Sequence, residues 1–514
     1  MKMKYFFLAM AALAGVACSE SFEEVGNNTP PAIGAEKGYL AFNLKSADDV
    51  TRAEEFEDGT TEEQVITSAC FYFFDASGNP FNVNANWCNY YNVSASDNGD
   101  TQAPNIESMT DPVLVVEKYK GEFPAKVVAV VNYTGNTNLS LNDLKNTLTT
   151  VGHTGGTNFI MTNSVYADGA GETVDATALT IDNFQTSADK ALLNPVTIYV
   201  ERTVAKVNVA AGTNAFNTGS KVGEKEVYAK INGWGLLATQ AESYFVKSID
   251  ATWTEDYLGF VWNNAAYHRS YWTGKTLNAA VSNAFTPANL TNDDSTVEYV
   301  GEYVGAANTD RTKYVVSATL QDVDGNAIEL AQWYGTTYVG EDALLAAVAP
   351  TLKNKLVHLT VEGGNNVYTS IDDSQLQCVA GLIGVESYEV SFQLAPFAPT
   401  DNWYSFDGTN YTAVLDVNGE LAKLEPAKVW KNGQTYYYAD VKHLGETGKA
   451  GEYGIVRNHS YKINITGVKG WGTPVYDPNM EIEEPEKPAD KETYIAAEIN
   501  VLSWRVVSSD VTLE

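Results

Sequence analysis

Residues 194–211, NPVTIYVERTVAKVNVAA, predict one long β-strand, because β-branched and apolar residues dominate and polar residues gather only at the centre. Residues 65–81, VITSACFYFFDASGNPF, predict an aromatic strand that runs into a Ser-Gly-Asn turn. Residues 123–134, FPAKVVAVVNYT, are typical of a strand buried on both faces. Strand patterns therefore dominate from an early point in the chain.

Later segments continue this pattern. Residues 312–330, TKYVVSATLQDVDGNAIEL, and 411–424, YTAVLDVNGELAKL, each predict a hairpin around an Asp-Gly or Asn-Gly turn. Residues 456–468, VRNHSYKINITGV, alternate between apolar and polar side chains as a half-exposed strand should. Short strands and frequent turns favour antiparallel β-sandwiches.

Helical periodicity is rare. Residues 140–148, SLNDLKNTL, predict one short helix with Ser140 as its N-cap. Residues 340–356, GEDALLAAVAPTLKNKL, predict a second helix that is interrupted at Pro350. The fold class predicted from these patterns is all-β with a few short helices.

The chain has 514 residues, which exceeds the size of one compact core and indicates two or more domains. A boundary is predicted near residues 213–223, where Gly, Asn, Ser and Thr leave little to bury. A second break is predicted at residues 477–492, DPNMEIEEPEKPADKE, which should form an extended tether. Strand character then returns and runs to the last residue.

The first residues resemble a bacterial lipoprotein signal. Basic residues precede an apolar run from Tyr5 to Ala14, and LAGVACSE places small residues directly before Cys18. The run is too short for a membrane-spanning helix. Acylation of Cys18, palmitate included, would anchor the precursor to a bilayer; an ordinary signal peptide with an incidental cysteine is the alternative.

The sequence offers no site of catalysis. Five histidines lie far apart without ligand spacing, and neither a phosphate-binding loop nor a Gly-x-Ser-x-Gly elbow is present. Residues 322–329, DVDGNAIE, begin like a calcium loop but lack the glutamate at its twelfth position, so a plain turn is favoured. The net charge of −32 disfavours a nucleic-acid partner. We therefore predict a protein that is not an enzyme and needs no cofactor or metal.

Cysteines and aromatic residues leave two alternatives open. Cys70 and Cys88 could form a bridge in an exported protein, although buried free thiols, with Cys378, are favoured over it. The 10 Trp and 30 Tyr could form a sugar-stacking surface, although core and cross-strand packing is the commoner use of such residues in β-sandwiches.

Two segments near the ends of the chain are interpreted as parts of one assembly mechanism. GYLAFNLKS at residues 38–46 predicts a half-buried strand that presents Leu40, Phe42 and Leu44 on one face. The acidic residues 46–64, interpreted as a solvated loop, follow it and contain the isolated Arg52. At the other end lie two candidate strand pieces, one with Leu502, Trp504 and Val506 and the other with Val507, Val511 and Leu513.

A sandwich that loses a strand exposes backbone donors and a hydrophobic slot, which another strand can fill. The resident strand must be removed first, because it is held at high effective concentration. An Arg-specific protease that cuts between Arg52 and Ala53 would release both the lipid anchor and the strand. The alternative is that Arg52 is an exposed residue in a linker without a role.

The chain resembles the fimbrillins, the pilin subunits of type V pili, and among them the structural subunit of the minor (short) fimbriae. The resemblance is carried by the order of several motifs along the chain: AGVACSE, VTRAEE, ACFYFFDASGNPF, FIMTNSVY, YVERTVAKVNV, INGWGLLAT, GIVRNHSYKINITGVKGWGTPV and INVLSWRVVSSDVTLE. In that family, two transthyretin-like antiparallel β-sandwich domains are joined in tandem and carry a C-terminal donor-strand tail.

The resemblance implies how this chain is divided into functional parts. The expected parts are a signal peptide at 1–18 cleaved before Cys18, a propeptide with a strand at 19–52, β-sandwiches at 53–220 and 221–480, and a tether with donor strands at 481–514. The expected donor residues are Ile499, Val501, Leu502, Trp504, Val506, Val507, Val511 and Leu513, and either half of the tail could fill the slot. Leu40, Phe42 and Leu44 would lie on the displaced strand.

The resemblance also implies a function and partners. The precursor would be anchored at the outer membrane through its lipid, trimmed by an Arg-specific protease, and polymerised head to tail with identical subunits into a surface fimbria that supports adhesion and biofilm formation. Anchor and tip subunits would be further partners. The alternatives are a tip or accessory adhesin of the same fimbria and a surface lipoprotein that binds glycans.

Overall fold

The computed structural model describes residues 37–46, 60, 62–94, 113–146, 148–150, 158–168, 170, 172–240, 242–249, 263–264, 268–271, 284–303, 311–443, 452–483, 494–502 and 507–511. Strands and helices are numbered along the chain. The described residues are mostly in β-strands with a few short helices, which confirms the predicted all-β fold class.

The first part of the chain forms a curved sheet and two short helices. Its elements are β1 (Lys37–Ser46), β2 (Ser68–Phe74), β3 (Tyr90–Ser94), β4 (Val113–Glu117), β5 (Lys126–Val131), α1 (Leu141–Asn146), β6 (Leu148–Thr150), β7 (Met161–Asn163), β8 (Tyr166–Ala167), β9 (Thr173–Val174), β10 (Thr177–Ala178), α2 (Ala188–Leu193) and β11 (Val196–Arg202). The sheet order is β3-β2-β5-β7-β11-β1-β4, with β10 beside β5. Apolar side chains of β1, β2, β4, β5 and β11 meet in the first core.

The middle of the chain begins the second sandwich. Its strands are β12 (Val204–Ala210), β13 (Phe216–Val222), β14 (Lys225–Leu237), β15 (Glu242–Tyr244), β16 (Asn263–Asn264), β17 (Arg269–Ser270), β18 (Ala284–Phe285), β19 (Glu298–Gly301) and β20 (Lys313–Gln321).

A segment with its own hydrophobic core follows β20 and extends to residue 430. Its elements are β21 (Leu330–Trp333), β22 (Thr336–Val339), α3 (Glu341–Val348), β23 (Val357–Glu362), β24 (Asn365–Ser370), β25 (Leu376–Ala380), β26 (Val390–Leu394), β27 (Trp403–Phe406), β28 (Tyr411–Ala413), α4 (Val417–Leu421) and β29 (Lys428–Trp430).

The last strands complete the second sandwich. They are β30 (Gln434–Asp440), β31 (Ser460–Lys469), β32 (Thr473–Pro474), β33 (Ile482–Glu483), β34 (Tyr494–Leu502) and β35 (Val507–Val511). Two five-stranded sheets, ordered β19-β12-β31-β34-β35 and β13-β14-β20-β30-β32, share the second core. Short 3-10 helices lie at Glu62–Gln64, Ile181–Asn183, Pro287–Asn289, Ala349–Leu352, Asp373–Gln375 and Lys431–Gly433.

Both predicted helices are confirmed. The Oγ of Ser140 accepts a hydrogen bond from the backbone N–H of Asp143 at 3.0 Å, as an N-cap should. The second helix ends at Val348, and a 3-10 turn that contains Pro350 follows it. The turn after β20 is also confirmed, since the N–H of Asp322 bonds to the carbonyl of Asn326 at 2.9 Å.

Four local predictions are wrong. The tether predicted at 477–492 joins a sheet at its start, because β33 pairs antiparallel with β18, with Ile482 opposite Phe285. The long strand predicted at 194–211 is two strands, β11 and β12, separated at Thr203 and paired in different sheets. The segment at 213–223, expected to be a connector, contains β13, an edge strand paired with β14. The hairpin expected at 411–424 contains α4 instead, because the carboxylate of Asp416 accepts the N–H of Gly419 at 2.8 Å and caps a helix. The division of the chain into domains stays a prediction.

Candidate functional site

The strand β1 lies inside the first sheet. Its first half, Lys37–Ala41, pairs antiparallel with β4, and its second half pairs parallel with β11. The side chains of Leu40 and Phe42 are fully buried, and the backbone of Leu44 lies opposite Ile198. The chain therefore places the predicted displaced strand between two neighbours, so its loss would expose ladder groups on both sides.

The inner face of β1 fills the first core. The ring of Phe42 stacks on that of Phe71, with centroids 4.5 Å apart and planes 15° apart, and lies 6.2 Å from the ring of Phe73. Leu40 belongs to the same cluster. Burying side chains of this size contributes about 1.5–3 kcal/mol each, so β1 supplies a large share of the core at this place.

The outer face of β1 is covered by α2. Ala41, Val113 of β4 and Ala191 of α2 form one small buried cluster. The backbone of Tyr39 exchanges hydrogen bonds with that of Gln185 at 2.9 and 2.8 Å, which extends the cover towards the start of β1. β1 is therefore more deeply buried than the half-buried strand predicted from sequence, because both of its faces are covered between Gly38 and Phe42.

Backbone space is tight at Gly38. A Cβ atom placed on this glycine would lie 2.9 Å from Cζ of Phe123 and 2.9 Å from Cβ of Phe184. These two rings stack with centroids 4.2 Å apart. The glycine therefore allows β1 to pass close beside the ring pair.

The residues just before β2 are held by a buried ion pair. Nζ of Lys206 lies 2.9 Å from Oε1 of Glu63, and the hydroxyl of Tyr299 donates to the same oxygen at 2.6 Å. Nε of Arg202 donates to the carbonyl oxygen of Glu63 at 3.0 Å. Burial alone would raise the pKa of the Glu63 carboxyl, but the hydrogen bonds and the charge of Lys206 outweigh it, and this pKa is lowered.

This finding corrects the interpretation of residues 46–64 as a wholly solvated loop. Glu63 is only 1% exposed, although its neighbour Glu62 is exposed. The partners of Glu63 are distant in sequence and lie on β11, β12 and β19, so no local pattern pointed to its burial. The only feature of the sequence that pointed to a buried acidic partner was Lys206, the single lysine inside the apolar strand β12.

The C-terminal tail pairs with the chain's own second sandwich. β34 runs antiparallel to β31, with Ile499 opposite Ile463, and β35 pairs with β34 alone. Three predicted donor residues, Ile499, Val501 and Leu502, therefore lie on β34, and two, Val507 and Val511, lie on β35. The tail strands thus form one edge of the second sandwich.

The remaining predicted site residues fall outside the described part of the chain. They are Cys18, Arg52, Ala53, Trp504, Val506 and Leu513.

A network of buried charges lies near the junction of β11 and β12. Nε of Arg457 donates to Oε2 of Glu302 at 2.7 Å, and its two terminal nitrogens donate to the carbonyl oxygens of Phe245 and Tyr244 at 3.1 and 2.8 Å and to Oγ of Ser243 at 3.0 Å. Arg202, in the polar centre of residues 194–211, lies beside it, since Nη1 of Arg202 donates to Oδ1 of Asn458 at 3.3 Å. Charged groups this far from water need such partners.

A second ion pair belongs to the same network. Nζ of Lys247 lies 3.2 Å from Oε1 of Glu201, and both side chains are almost fully buried. Burial raises the pKa of Glu201 against the opposing charge of Lys247, and burial lowers the pKa of Lys247. Burial thus opposes the charge of both partners, and a buried pair of this kind adds little net stability over well-packed apolar residues of similar volume.

The histidines and cysteines have structural surroundings. His459 is fully buried, its Nδ1 lies 2.8 Å from the carbonyl oxygen of Arg457, and burial holds its pKa well below the usual range. Cys70 is a buried free thiol whose pKa is raised by burial to about 12, so it forms no bridge with Cys88; Cys378 is also buried and free. His153 lies outside the described residues.

No group of three or more His, Cys, Asp or Glu side chains in the described ranges is placed to hold a metal ion. No helix there is long and apolar enough to cross a membrane.

One protein-family model matches part of this chain. Residues 428–510 match the model of the major fimbrial subunit protein type IV, fimbrillin, C-terminal family. This range includes β31, which pairs with the tail, and β34, which begins it, and it confirms the resemblance drawn from the sequence motifs. A search of curated proteins finds no match.

Two solved structures are similar in outline. A putative cell adhesion protein from Parabacteroides distasonis has 12% identity and a TM-score of 0.40, with 94% of this chain and 100% of that chain covered. The tip fimbrial protein Mfa3 from Porphyromonas gingivalis, with a C-terminal truncation, has 12% identity and a TM-score of 0.32, with 91% and 100% covered.

Proposed function

Because residues 428–510 match the model of the fimbrillin C-terminal family, we propose that the chain is a structural pilin of a cell-surface fimbria, trimmed after Arg52 and polymerised by strand exchange. In this proposal the C-terminal tail of one subunit fills the slot that β1 vacates in the next.

The internal position of β1 carries the proposal. A strand between β4 and β11 cannot leave without opening both a hydrophobic slot and two rows of backbone groups. Leu40 and Phe42 contribute about 1.5–3 kcal/mol each by burial, and each ladder hydrogen bond adds about 1 kcal/mol net. A replacement strand that buries similar side chains and forms the same ladder hydrogen bonds gains a similar free energy. The vacated slot is therefore a strong binding site for an extended peptide.

The order of segments supports a proteolytic trigger. Arg52 follows β1 in sequence and precedes Glu63, which is tied to β12 and β19. A cut after Arg52 would free β1, while the contacts of Glu63 hold the residues just before β2 in place. The severed strand would then leave without loosening the sheet that must accept its replacement.

The separation of slot and tail supports a filament. The slot lies in the first sheet, whereas β34 and β35 lie at the edge of a different sheet. A contact between two different surfaces of identical subunits does not close on itself and produces a chain of subunits. Identical subunits, with anchor and tip subunits at the ends, are therefore the proposed partners.

The N-terminal residues support export as a lipoprotein. Small residues before Cys18 and the short apolar run favour acylation there and anchoring of the precursor at the outer membrane. An Arg-specific protease would then release the subunit from its anchor in the same step that opens the slot.

Mass spectrometry of the mature protein tests the processing step, and Ala53 is the expected first residue. Arg52→Lys should block an Arg-specific protease and leave uncut monomers, whereas Lys45→Arg, a change in β1, should not prevent the cut after Arg52. Polymers built from chains that retain residues 19–52 would contradict the proposal.

The tail is tested separately. Chains that end before Tyr494 should be cut normally but remain monomeric, because they carry no donor strand. The comparison with full-length cut protein, by electrophoresis under mild denaturant, separates loss of the donor from loss of processing. Normal polymers from the shortened chain would overturn strand exchange.

One observation favours a second candidate function, carbohydrate binding. Tyr411 is 42% exposed, and its ring stacks on that of Tyr368 with centroids 3.6 Å apart. The ring of Phe406 also stacks on that of Tyr411, with centroids 4.6 Å apart. These contacts cover the faces of the Tyr411 ring, and the outer rings of the stack, Tyr368 and Phe406, are partly exposed and offer the faces that a sugar ring would contact. Glycan-array signals that disappear in Tyr411→Ala but persist in Tyr334→Ala, another exposed tyrosine, would support this function.

A further inference from the structure

The slot occupied by β1 accepts side chains of a particular size order. Leu40 and Phe42 point into the first core and are fully buried. Ala41, between them, faces the opposite side and is 1% exposed under Ala191 of α2. Because successive side chains of a strand alternate between faces, the slot requires a large, a small and a large residue in succession.

We propose that Leu502, Ser503 and Trp504 of a second copy occupy the places of Leu40, Ala41 and Phe42. This inference rests on the proposed strand exchange and states which part of the tail enters the slot. It also sets the register, with Ser503 under α2.

The other tail segments fit the small position less well. Large residues separated by one position occur at Ile499 and Val501, at Trp504 and Val506, and at Val511 and Leu513. The residues between them are Asn500, Arg505 and Thr512. Each is larger than serine, which differs from alanine by one oxygen atom, and overpacking of a buried alanine position is unfavourable.

The aromatic side chain gives a second reason. Phe42 stacks on Phe71 at 4.5 Å, and Trp504 is the one aromatic residue of the tail after Tyr494. In the proposed register Trp504 replaces Phe42 and restores an aromatic pair with Phe71. A register that places Val501 or Leu513 there would leave the ring of Phe71 without a stacked partner.

The pairing of the tail gives a third reason. β34 pairs with β31 along its whole length, from Tyr494 opposite Lys469 to Leu502 opposite Ser460. β35 is an edge strand and pairs only with β34, from Val507 opposite Val501 to Val511 opposite Ala497. Release of β35 together with the end of β34, from Asn500 onward, therefore frees the segment around Leu502–Trp504, while Tyr494–Ile499 remain paired with β31 on their own subunit.

The tail contains no glycine to take the place of Gly38. In the proposed register Asn500 reaches that position, where a Cβ would lie 2.9 Å from Cζ of Phe123 and Cβ of Phe184. Every alternative register also places a side chain there. We therefore expect the donor to diverge from the slot only at its start, near Gly38 and Phe123, and to pair from the Leu40 position onward with β4 and then β11.

Disulfide trapping tests the register. Val113 lies directly opposite Ala41 on β4, so Val113→Cys in one copy should meet Ser503→Cys of its neighbour. After the cut at Arg52 and mild oxidation, mixtures of these two variants should form linked dimers. Asn500→Cys and Thr512→Cys are the matched alternatives, and Val113→Cys alone and uncut mixtures are the controls.

Each outcome has one meaning. Linked dimers with Ser503→Cys, at least tenfold above the two alternatives, would support the register. Dimers through Asn500→Cys or Thr512→Cys, in polymers that form normally, would overturn the register and leave strand exchange intact. Absence of polymers from any cut mixture would overturn the proposed function and this inference with it.

A size test gives an independent measure. Ser503→Leu should slow polymerisation at least tenfold, since leucine cannot fit under Ala191, whereas Ser509→Leu should change the rate less than twofold. Circular dichroism of both monomers checks that each variant folds. Equal rates for the two variants would contradict the placement of Ser503 under α2.

Discussion

The carboxylate of Glu63 and the ammonium group of Lys206 form a buried ion pair, with Oε1 and Nζ 2.9 Å apart. Glu63 lies between the predicted cleavage site and β2, while Lys206 lies on β12 in the sheet that also holds the C-terminal tail. One contact thus links the start of the proposed mature chain to the second sandwich. In the proposed mechanism it keeps β2 in place when β1 is removed.

Glu63→Gln should destabilise the protein by about 3 kcal/mol, because it leaves the Lys206 charge buried without a carboxylate. The matched control is Glu62→Gln, an exposed neighbour, whose effect should stay within about 0.5 kcal/mol. Urea unfolding followed by tryptophan fluorescence measures both values. Equal midpoints for the two variants would show that the buried pair does not contribute.

The effect of Glu63 has a defined pH range. Its pKa is lowered in the folded protein, so its contribution is complete above the unfolded value near 4.5 and is lost as pH falls through the lower folded value. Between these two values the stability of the wild type should fall more steeply with decreasing pH than that of Glu63→Gln. Unfolding midpoints of both proteins, measured at intervals from pH 6 to pH 3, test this difference. If the prediction is wrong, the midpoints of wild type and Glu63→Gln will fall with the same slope.

Phe42→Ala should destabilise the uncut chain by about 3–5 kcal/mol, since it removes the ring that stacks on Phe71. After the cut at Arg52, the same change should speed release of the N-terminal piece and therefore polymerisation. Phe397→Ala, which truncates a ring that is 77% exposed, is the control and should alter neither quantity. Unchanged polymerisation kinetics in Phe42→Ala would argue that release of β1 does not limit assembly.

Local patterns predicted local structure well. The serine at position 140 and the proline at position 350 act on the backbone next to them, and both helices begin or break where these residues predict. The alternation of Leu40 and Phe42 likewise predicted an apolar face on β1. These rules depend on neighbours in sequence, which a single chain displays directly.

Long-range contacts account for what the patterns did not predict. The second cover of β1 comes from α2, whose Ala191 is distant in sequence from Ala41. The burial of Glu63 depends on Lys206 and Tyr299, which no spacing rule connects to it. The break at Thr203 arises because β11 and β12 pair in different sheets. Each of these features requires the topology before it can be inferred.

His459 should make stability depend on pH below about 6.5. Burial holds its pKa well below that of the unfolded chain, with His443, Arg269 and Lys247 adding unfavourable charge. The unfolded state therefore binds the proton first, and the free energy of unfolding should fall by about 1.4 kcal/mol per pH unit as pH decreases from 6.5. His459→Asn should flatten this slope, whereas His358→Asn, on β23, should not. Parallel slopes for wild type and His459→Asn would refute the assignment.

Arg457→Lys should destabilise the protein by about 3–5 kcal/mol, although the charge is kept, because a lysine cannot supply the fork of donors that serves Glu302 and the carbonyl oxygens of Tyr244 and Phe245. Arg311→Lys is the matched control. Arg311 pairs with Asp440 at 3.1 Å, but both side chains are partly exposed, so this change should cost about 1 kcal/mol or less. Urea midpoints of the two variants measure the difference. Similar losses would mean that the buried donors of Arg457 contribute no more than a surface pair.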